Sequence, residues 1–314
     1  MAFVVTGFRD RLDDWPELLA GYALAALLLL ALAAADRYLP AGVRVVRFVR
    51  TCAPMLMLPL VYGAAARTSR LLHGRYLDAD LYAWEKALLS FAPNTAVTSA
   101  LGSPLMTEVL TFCYFSFYGC FLIPTILYAQ GRAPLVERYV LAMVAAFLPC
   151  YLGFVALPLI GPAAGLPGLY AVHGPSGYAI TALQSEIMAA LDPPGACFPS
   201  THVAGAWITV LVLRRHVPRV VRLVLWTLTA GLTVAVVYDW YHYLTDVVAG
   251  LAVALIVHAI IERAATRRAA AKRGVIERAV TEPITGSDAT SRDVSGRDVS
   301  GRGAVRPVRP RSPG

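Results

Sequence analysis

The sequence predicts an all-α, polytopic membrane bundle of about seven spans, on three observations. Apolar residues make up 57% of the 314 and charged residues 15%, whereas a soluble domain carries roughly 25% charged residues. The charges are bunched between apolar stretches long enough to cross a bilayer, whose core of roughly 30 Å needs about 20 residues of helix. Lys and Arg also fall unevenly between alternate connections, as the positive-inside rule requires.

The apolar runs place spans near 18–35, 49–66, 106–129, 138–160, 200–217, 219–239 and 241–261. The first is not a cleavable signal: it is led by Asp10, Asp13, Asp14 and Glu17 rather than by basic residues. The fifth is short and the last two are nearly contiguous. With the C-terminus in the cytoplasm, 22 of the 28 Lys and Arg residues lie in inner connections and the tail. The remaining 6, Arg9, Arg11, Arg67, Arg70, Arg75 and Lys86, lie outside. The formal charge of +8 therefore reads as topology, with attraction to anionic lipid, and calls for no nucleic-acid partner. The 5 cysteines, odd in number and without CxxC or Cys/His spacing, argue against a disulfide frame or a zinc site.

Three regions follow: N-terminal spans over 1–66, a catalytic membrane domain over 67–262, and a basic tail over 263–314. Two outer connections are long, and long loops in compact proteins tend to be functional or disordered. Residues 67–105 contain GRYLDADLYAWEKALLSFAPN, which reads as one amphipathic helix near the interface. Residues 161–198 are rich in Gly and Pro and contain no Lys or Arg. The tail, poor in large apolar residues and carrying SRDVSGRDVSGRG, is expected to be disordered.

The chemistry-bearing segments open two of the late spans. CFPSTHVAGAW (197–207) places Ser200, Thr201 and His202 at the first turn of a helix at the outer face. Free N–H groups and the positive end of the helix dipole there attract phosphate. YHYLTDVVAG (241–250) puts His242 and Asp246 on one helix face, four residues and about 6 Å of rise apart. A carboxylate so placed accepts the imidazole Nδ1 hydrogen and leaves Nε2 as a nucleophile. The charge count brings both histidines to the same outer side, and ionisable groups at membrane depth default to functional roles. Taken singly, each has a structural reading, as an interfacial histidine or a pairing device. His73, His173, His216 and His258 keep that reading.

Together, PSTH at one span's start and HYLTDVVAG about 40 residues on resemble the type 2 phosphatidic acid phosphatase superfamily. CFPSxHVA with HYxxDVxAG looks closest to its inositol phosphorylceramide synthase-like, or inositolphosphotransferase, branch. The resemblance covers roughly 75–262. The chain departs from the phosphatase signatures at Ala92, Ala235 and Val236, where those signatures carry phosphate-binding Arg or Ser-Arg. Topology leaves Arg67, Arg70, Arg75 and Lys86 as replacements, with Arg75 the first choice and Lys86 the next.

The resemblance implies a mechanism. His242 attacks the phosphorus of a membrane lipid phosphate and forms a phosphohistidine, with Asp246 fixing its tautomer. His202 protonates the leaving alkoxide and then deprotonates water or an acceptor alcohol. Ser200, backbone N–H groups near Thr201, and Arg75 or Lys86 bind the phosphoryl oxygens. No cofactor is implied, and no metal either, since carboxylates for one are not clustered. The expected enzyme is a lipid phosphotransferase or phosphatase in a bacterial-type plasma membrane, its active site extracytoplasmic and its C-terminus cytoplasmic. Rival readings are a transporter, which predicts broken helices or midspan charges, and an inactive membrane scaffold. An intramembrane serine protease fits poorly, because Ser200 and His202 point different ways on a helix.

Overall fold

In the computed structural model, residues 15–38 and 44–281 are described, and among them every regular element is a helix. In chain order the α-helices are α1 Trp15–Tyr38, α2 Arg44–Leu56, α3 Leu58–Arg67, α4 Asp78–Leu89, α5 Pro93–Leu101, α6 Pro104–Phe115 and α7 Ile123–Ala129. They continue as α8 Ala133–Ala156, α9 Pro162–Gly165, α10 Pro167–His173, α11 Ala179–Leu191, α12 Thr201–Leu213, α13 Arg219–Tyr238 and α14 Leu244–Thr281. The all-α polytopic bundle expected from the sequence is the fold observed.

The span count differs from the seven expected. Among the described residues, 5 stretches are long and apolar enough to cross: Trp15–Ala35, Arg44–Leu71, Ala133–Ala156, Arg219–Tyr238 and Leu244–Arg273. A sixth exists if Pro104–Phe121 and Ile123–Ala129, bent by 49°, form one span. The bend falls where a 3₁₀ segment, Ser116–Phe121, meets Pro124 in the first turn of α7, a residue with no N–H to continue the ladder. The expected fifth span becomes α12, whose 13 residues rise about 20 Å and fall short of a bilayer core.

That short helix is the centre of the bundle. Every α12 residue except Trp207 is buried, and the helix packs against α8 and α13. The Ala and Gly residues of its first half let neighbours close in. Gly205 lies against Phe117, Phe147 and Met143. The outer helices instead turn Leu, Val and Ile outward, as Leu30, Leu152, Val220, Leu223, Val248 and Ile256 show. Lipid is a satisfactory solvent for such faces.

Two connections are more ordered than the sequence suggested. The single amphipathic helix expected in 67–105 is two helices, α4 and α5, because Ser90 takes a left-handed conformation (φ 66°) and Pro93 starts a new helix. The Gly/Pro-rich connection carries α9, α10 and α11.

The chain divides into two compact units, Met1–Ala265 and Thr266–Gly314. In the second, the described residues are helical to Thr281, past the point near 264 where disorder was expected. That segment is rich in Ala and Arg, both strong helix formers. The expectation weighed only its lack of apolar bulk. The rest of the expected tail lies outside the described residues, as do Arg9 and Arg11.

Candidate active site

Two helix N-termini, those of α12 and α14, are locked together before any reactive group is considered. Ser200 is the N-cap of α12: its backbone is extended and its Oγ accepts the Val203 N–H at 3.3 Å. Its own N–H donates to the Asp246 carbonyl at 3.1 Å. Glycine is required where the helices touch, since a Cβ on Gly250 would sit 2.5 Å from the Ser200 carbonyl oxygen.

The turn leading into α14 is pinned from α4 and α5. Glu85 Oε1 accepts from the Thr245 N–H and hydroxyl, both at 2.6 Å, capping α14 with a carboxylate where the helix dipole favours one. Asn94 Nδ2 donates to the Val237 and His242 carbonyls at 2.8 and 3.0 Å. Thr98 Oγ1 donates to the Tyr238 carbonyl at 3.1 Å and accepts from Trp240 Nε1 at 3.0 Å. These bonds hold Trp240 at φ 60°, a region rarely used by a bulky residue. Asp78 takes the Ile160 N–H at 3.1 Å and the Tyr243 hydroxyl at 3.0 Å, tying the 157–161 segment to the same turn. Burial pushes the carboxyls of Asp78 and Glu85 above their ordinary range.

On this frame the predicted catalytic residues converge. Asp246 is wholly buried, and its Oδ2 lies 3.3 Å from His242 Nδ1. The same oxygen accepts the Tyr243 N–H and the Cys197 thiol, each at 2.9 Å. The Cys197 sulfur is also 3.3 Å from His242 Nδ1. Burial first, and the Asp246 charge second, push the Cys197 thiol well above its usual range. The His202 and His242 ring centroids are 5.9 Å apart, with the ring planes inclined by 59°. His202 Nε2 is 3.0 Å from the Tyr114 hydroxyl, and its ring rests 4.5 Å from Phe117. Its Nδ1 is buried with no protein partner among the described residues.

Both histidines line a cavity of about 230 Å³ walled also by Tyr62, Tyr114, Asp192, Trp240 and Tyr241. A second, more apolar cavity of about 270 Å³ shares His202, Tyr62, Met188 and Asp192 with it and runs along Phe117, Phe121, Phe147 and Tyr151. Asp192 receives a short hydrogen bond from the Tyr62 hydroxyl. The protein packed around it raises its carboxyl, against the opposing pull of Tyr62 and His242, although the residue keeps access to solvent.

The other predicted site residues are distributed unevenly. Thr201 lines the apolar cavity. Ser200 lies behind the site as a cap and lines neither cavity. Arg75 is exposed and paired with Asp80 at 2.7 Å; Lys86 is exposed on α4. Neither lines either of these two cavities, and no described Lys or Arg does. One mixed group of donors does come together, with a single carboxylate in it: the Cys197, His242 and Asp246 ligand atoms lie within 4.8 Å of one another. They are hydrogen-bonded among themselves.

Sequence reasoning passed over Tyr114, Asp192, Glu85, Asn94 and the thiol of Cys197. Cys197 stood inside the motif that was read. Asp78 and Glu85, seven apart in an amphipathic segment, lie two helical turns apart and were a usable signal. Tyr114 and Asp192 reach the cavity only through tertiary packing, and no local pattern marks them.

A family model described as the PAP2 superfamily matches residues 79–260. No curated protein and no solved structure matches the chain.

Proposed function

Because the chain belongs to the PAP2 superfamily, whose members are phosphatases and phosphotransferases acting on phosphate esters, we propose that it transfers phosphoryl groups of membrane lipids through a phosphohistidine on His242. The observation that carries this reading is the meeting of the two histidine rings in one cavity, with a buried carboxylate against Nδ1 of only one of them.

Asp246 fixes the tautomer that keeps hydrogen on Nδ1, so the lone pair on His242 Nε2 is free to attack phosphorus. The N–P bond forms as the P–O bond to the leaving alcohol breaks, and His202 supplies that alkoxide with its proton. In the second step His202 removes a proton from water or an acceptor alcohol, whose oxygen takes the phosphoryl group and releases His242. The Tyr114 hydroxyl orients His202 through Nε2. The first N–H groups of α12, at Thr201 and His202, have no partners within their helix and suit phosphoryl oxygens. The Phe-lined cavity beside His202 fits the apolar portion of a lipid. The extracytoplasmic position of the site rests on the basic-residue asymmetry of the sequence. Ordered transfer to an alcohol, as in the inositolphosphotransferase branch, requires only that an alcohol replace water in the second step.

The 49° break between α6 and α7 is a feature a transporter would share. Here its first half delivers Tyr114 to His202 instead. The test is the purified protein with a panel of lipid phosphates, phosphodiesters and alcohols, separating free phosphate from transferred product. Wild-type turnover that is lost in both His202→Ala and His242→Ala supports the reading; turnover that survives in His242→Ala contradicts it.

A further inference from the structure

The reactive cavity has an unexpected electrostatic character for a site that handles phosphate. Among the described residues no Lys or Arg lines it, while the Asp192 carboxylate does. Asp192 Oδ1 is held by Tyr62, and Oδ2 has no hydrogen-bond donor among the described residues. Asp192 is exposed to solvent at this position despite the protein packed around it. Four aromatic rings, of Tyr62, Tyr114, Trp240 and Tyr241, share the walls. The Tyr114 and Tyr241 centroids are 4.9 Å apart. Asp192 lies within Coulombic reach of Tyr62, Tyr114, Tyr241 and His242.

A phosphomonoester carries nearly two negative charges at neutral pH. Beside a carboxylate, with no fixed cation to offset it, such an ion is repelled. A phosphodiester whose alcohol carries an ammonium group has no net charge. Its cation finds aromatic faces and a carboxylate, the two features that recognise alkylammonium ions. Resting on the functional reading above, we infer that the substrate is a lipid phosphodiester with a positively charged amine headgroup, held by Asp192 and the surrounding Tyr and Trp rings.

The transfer then balances as follows. His242 Nε2 bonds to phosphorus, the P–O bond to the diacyl alcohol breaks, and that alkoxide takes a proton from His202. The phosphoamine remains on His242 with its ammonium against Asp192. Water or an acceptor alcohol next gives its proton to His202, bonds to phosphorus, and releases His242. The apolar cavity that His202 also lines offers Phe and Tyr walls suited to a diacyl leaving group.

The experiment uses the full chain in lipid nanodiscs or mixed micelles with phosphatidylcholine, phosphatidylethanolamine, phosphatidylglycerol, phosphatidylinositol and phosphatidic acid. The expected kcat/KM for the choline or ethanolamine lipid exceeds that for each of the others by tenfold or more. Tetramethylammonium inhibits competitively. Asp192→Asn lowers the choline-to-glycerol ratio of kcat/KM about tenfold, mainly through KM, and Asp192→Glu keeps the preference. Should Asp192→Asn fail to fold for want of its bond to Tyr62, the wild-type ratio and the tetramethylammonium competition decide. A preference for phosphatidic acid, phosphatidylglycerol or phosphatidylinositol overturns this inference and leaves the phosphoryl-transfer reading standing. An Asp192→Asn that slows every lipid equally does the same. No turnover of any lipid overturns both.

Discussion

Tyr114→Phe separates the role of His202 from that of His242 with the removal of one oxygen. The Tyr114 ring is fully buried and lies 4.9 Å from the rings of both His202 and Tyr241, contacts that a Phe retains. What disappears is the 3.0 Å bond to His202 Nε2, together with a weaker 3.4 Å contact to the Met188 sulfur. His202 Nδ1 already lacks a protein partner, so the variant leaves the imidazole with no described hydrogen bond to fix its orientation. Orphaning one buried polar atom costs about 1–3 kcal/mol, which corresponds to roughly 5- to 150-fold in rate if it is felt in the transition state. The assay is kcat/KM for two substrates of the same lipid: one with its natural alcohol, and one whose leaving group is a nitrophenolate that needs no proton. The deficit should appear with the natural alcohol and shrink to a few-fold with the nitrophenolate, while thermal stability changes little. An equal deficit for both substrates would show that Tyr114 serves binding or folding, and no deficit would remove it from the mechanism.

Three further outcomes follow from the same geometry. Because burial raises the Asp78 and Glu85 carboxyls, the folded chain keeps protons that the unfolded chain loses. Their stabilising contribution is full below the ordinary carboxylate range and declines as pH rises through the folded values. Wild-type Tm should therefore fall more between pH 5 and pH 8 than that of Glu85→Gln; parallel falls contradict the assignment. Gly250→Ala should cost about 1–3 kcal/mol by forcing a methyl onto the Ser200 carbonyl, seen as a lowered Tm with reduced activity; an unchanged Tm would mean the two helix starts are not in contact. In a background without native cysteines, a cysteine at Ser176 should label with an impermeant thiol reagent in intact cells and one at Val217 should not; the reverse pattern would turn the site to the cytoplasm.

The residues that carry local signals were legible in the sequence. His242 and Asp246 meet as their spacing suggested, but not on one helix face: α14 begins at Leu244, and His242 lies in the turn before it, against the first turn that carries Asp246. Ser200 precedes an apolar run, and a helix follows it. The bundle itself was legible because bilayer thickness sets the length of apolar runs. Less legible were features set by packing. Nothing local says that the helix after Ser200 is surrounded on all sides and can be too short to span, or that Tyr114 from a bent helix reaches His202. The phosphate-binding residues show the limit most clearly. Arg75 and Lys86 were selected by charge and topology, yet Arg75 satisfies Asp80 at the surface and Lys86 faces outward. Exposed pairs of that kind are worth about 0–1 kcal/mol. The carboxylate that does line the cavity, Asp192, sits in a Pro/Gly-rich connection where an acidic residue carries no signal by itself. In the tail, helix propensity outweighed the absence of apolar bulk as far as Thr281.

The central claim is that His242 becomes covalently attached to phosphorus. Rapid mixing of the purified protein with a lipid labelled at phosphorus, an alkaline quench that preserves phosphohistidine, and mass spectrometry of the peptide containing residues 241–250 test it most directly. The account predicts an acid-labile adduct on His242 that forms and decays at rates consistent with turnover. It predicts that the adduct accumulates in His202→Ala when a nitrophenolate leaves, and is absent in His242→Ala. A protein that turns over substrate with no adduct at His242, or with the adduct on His202, would contradict it.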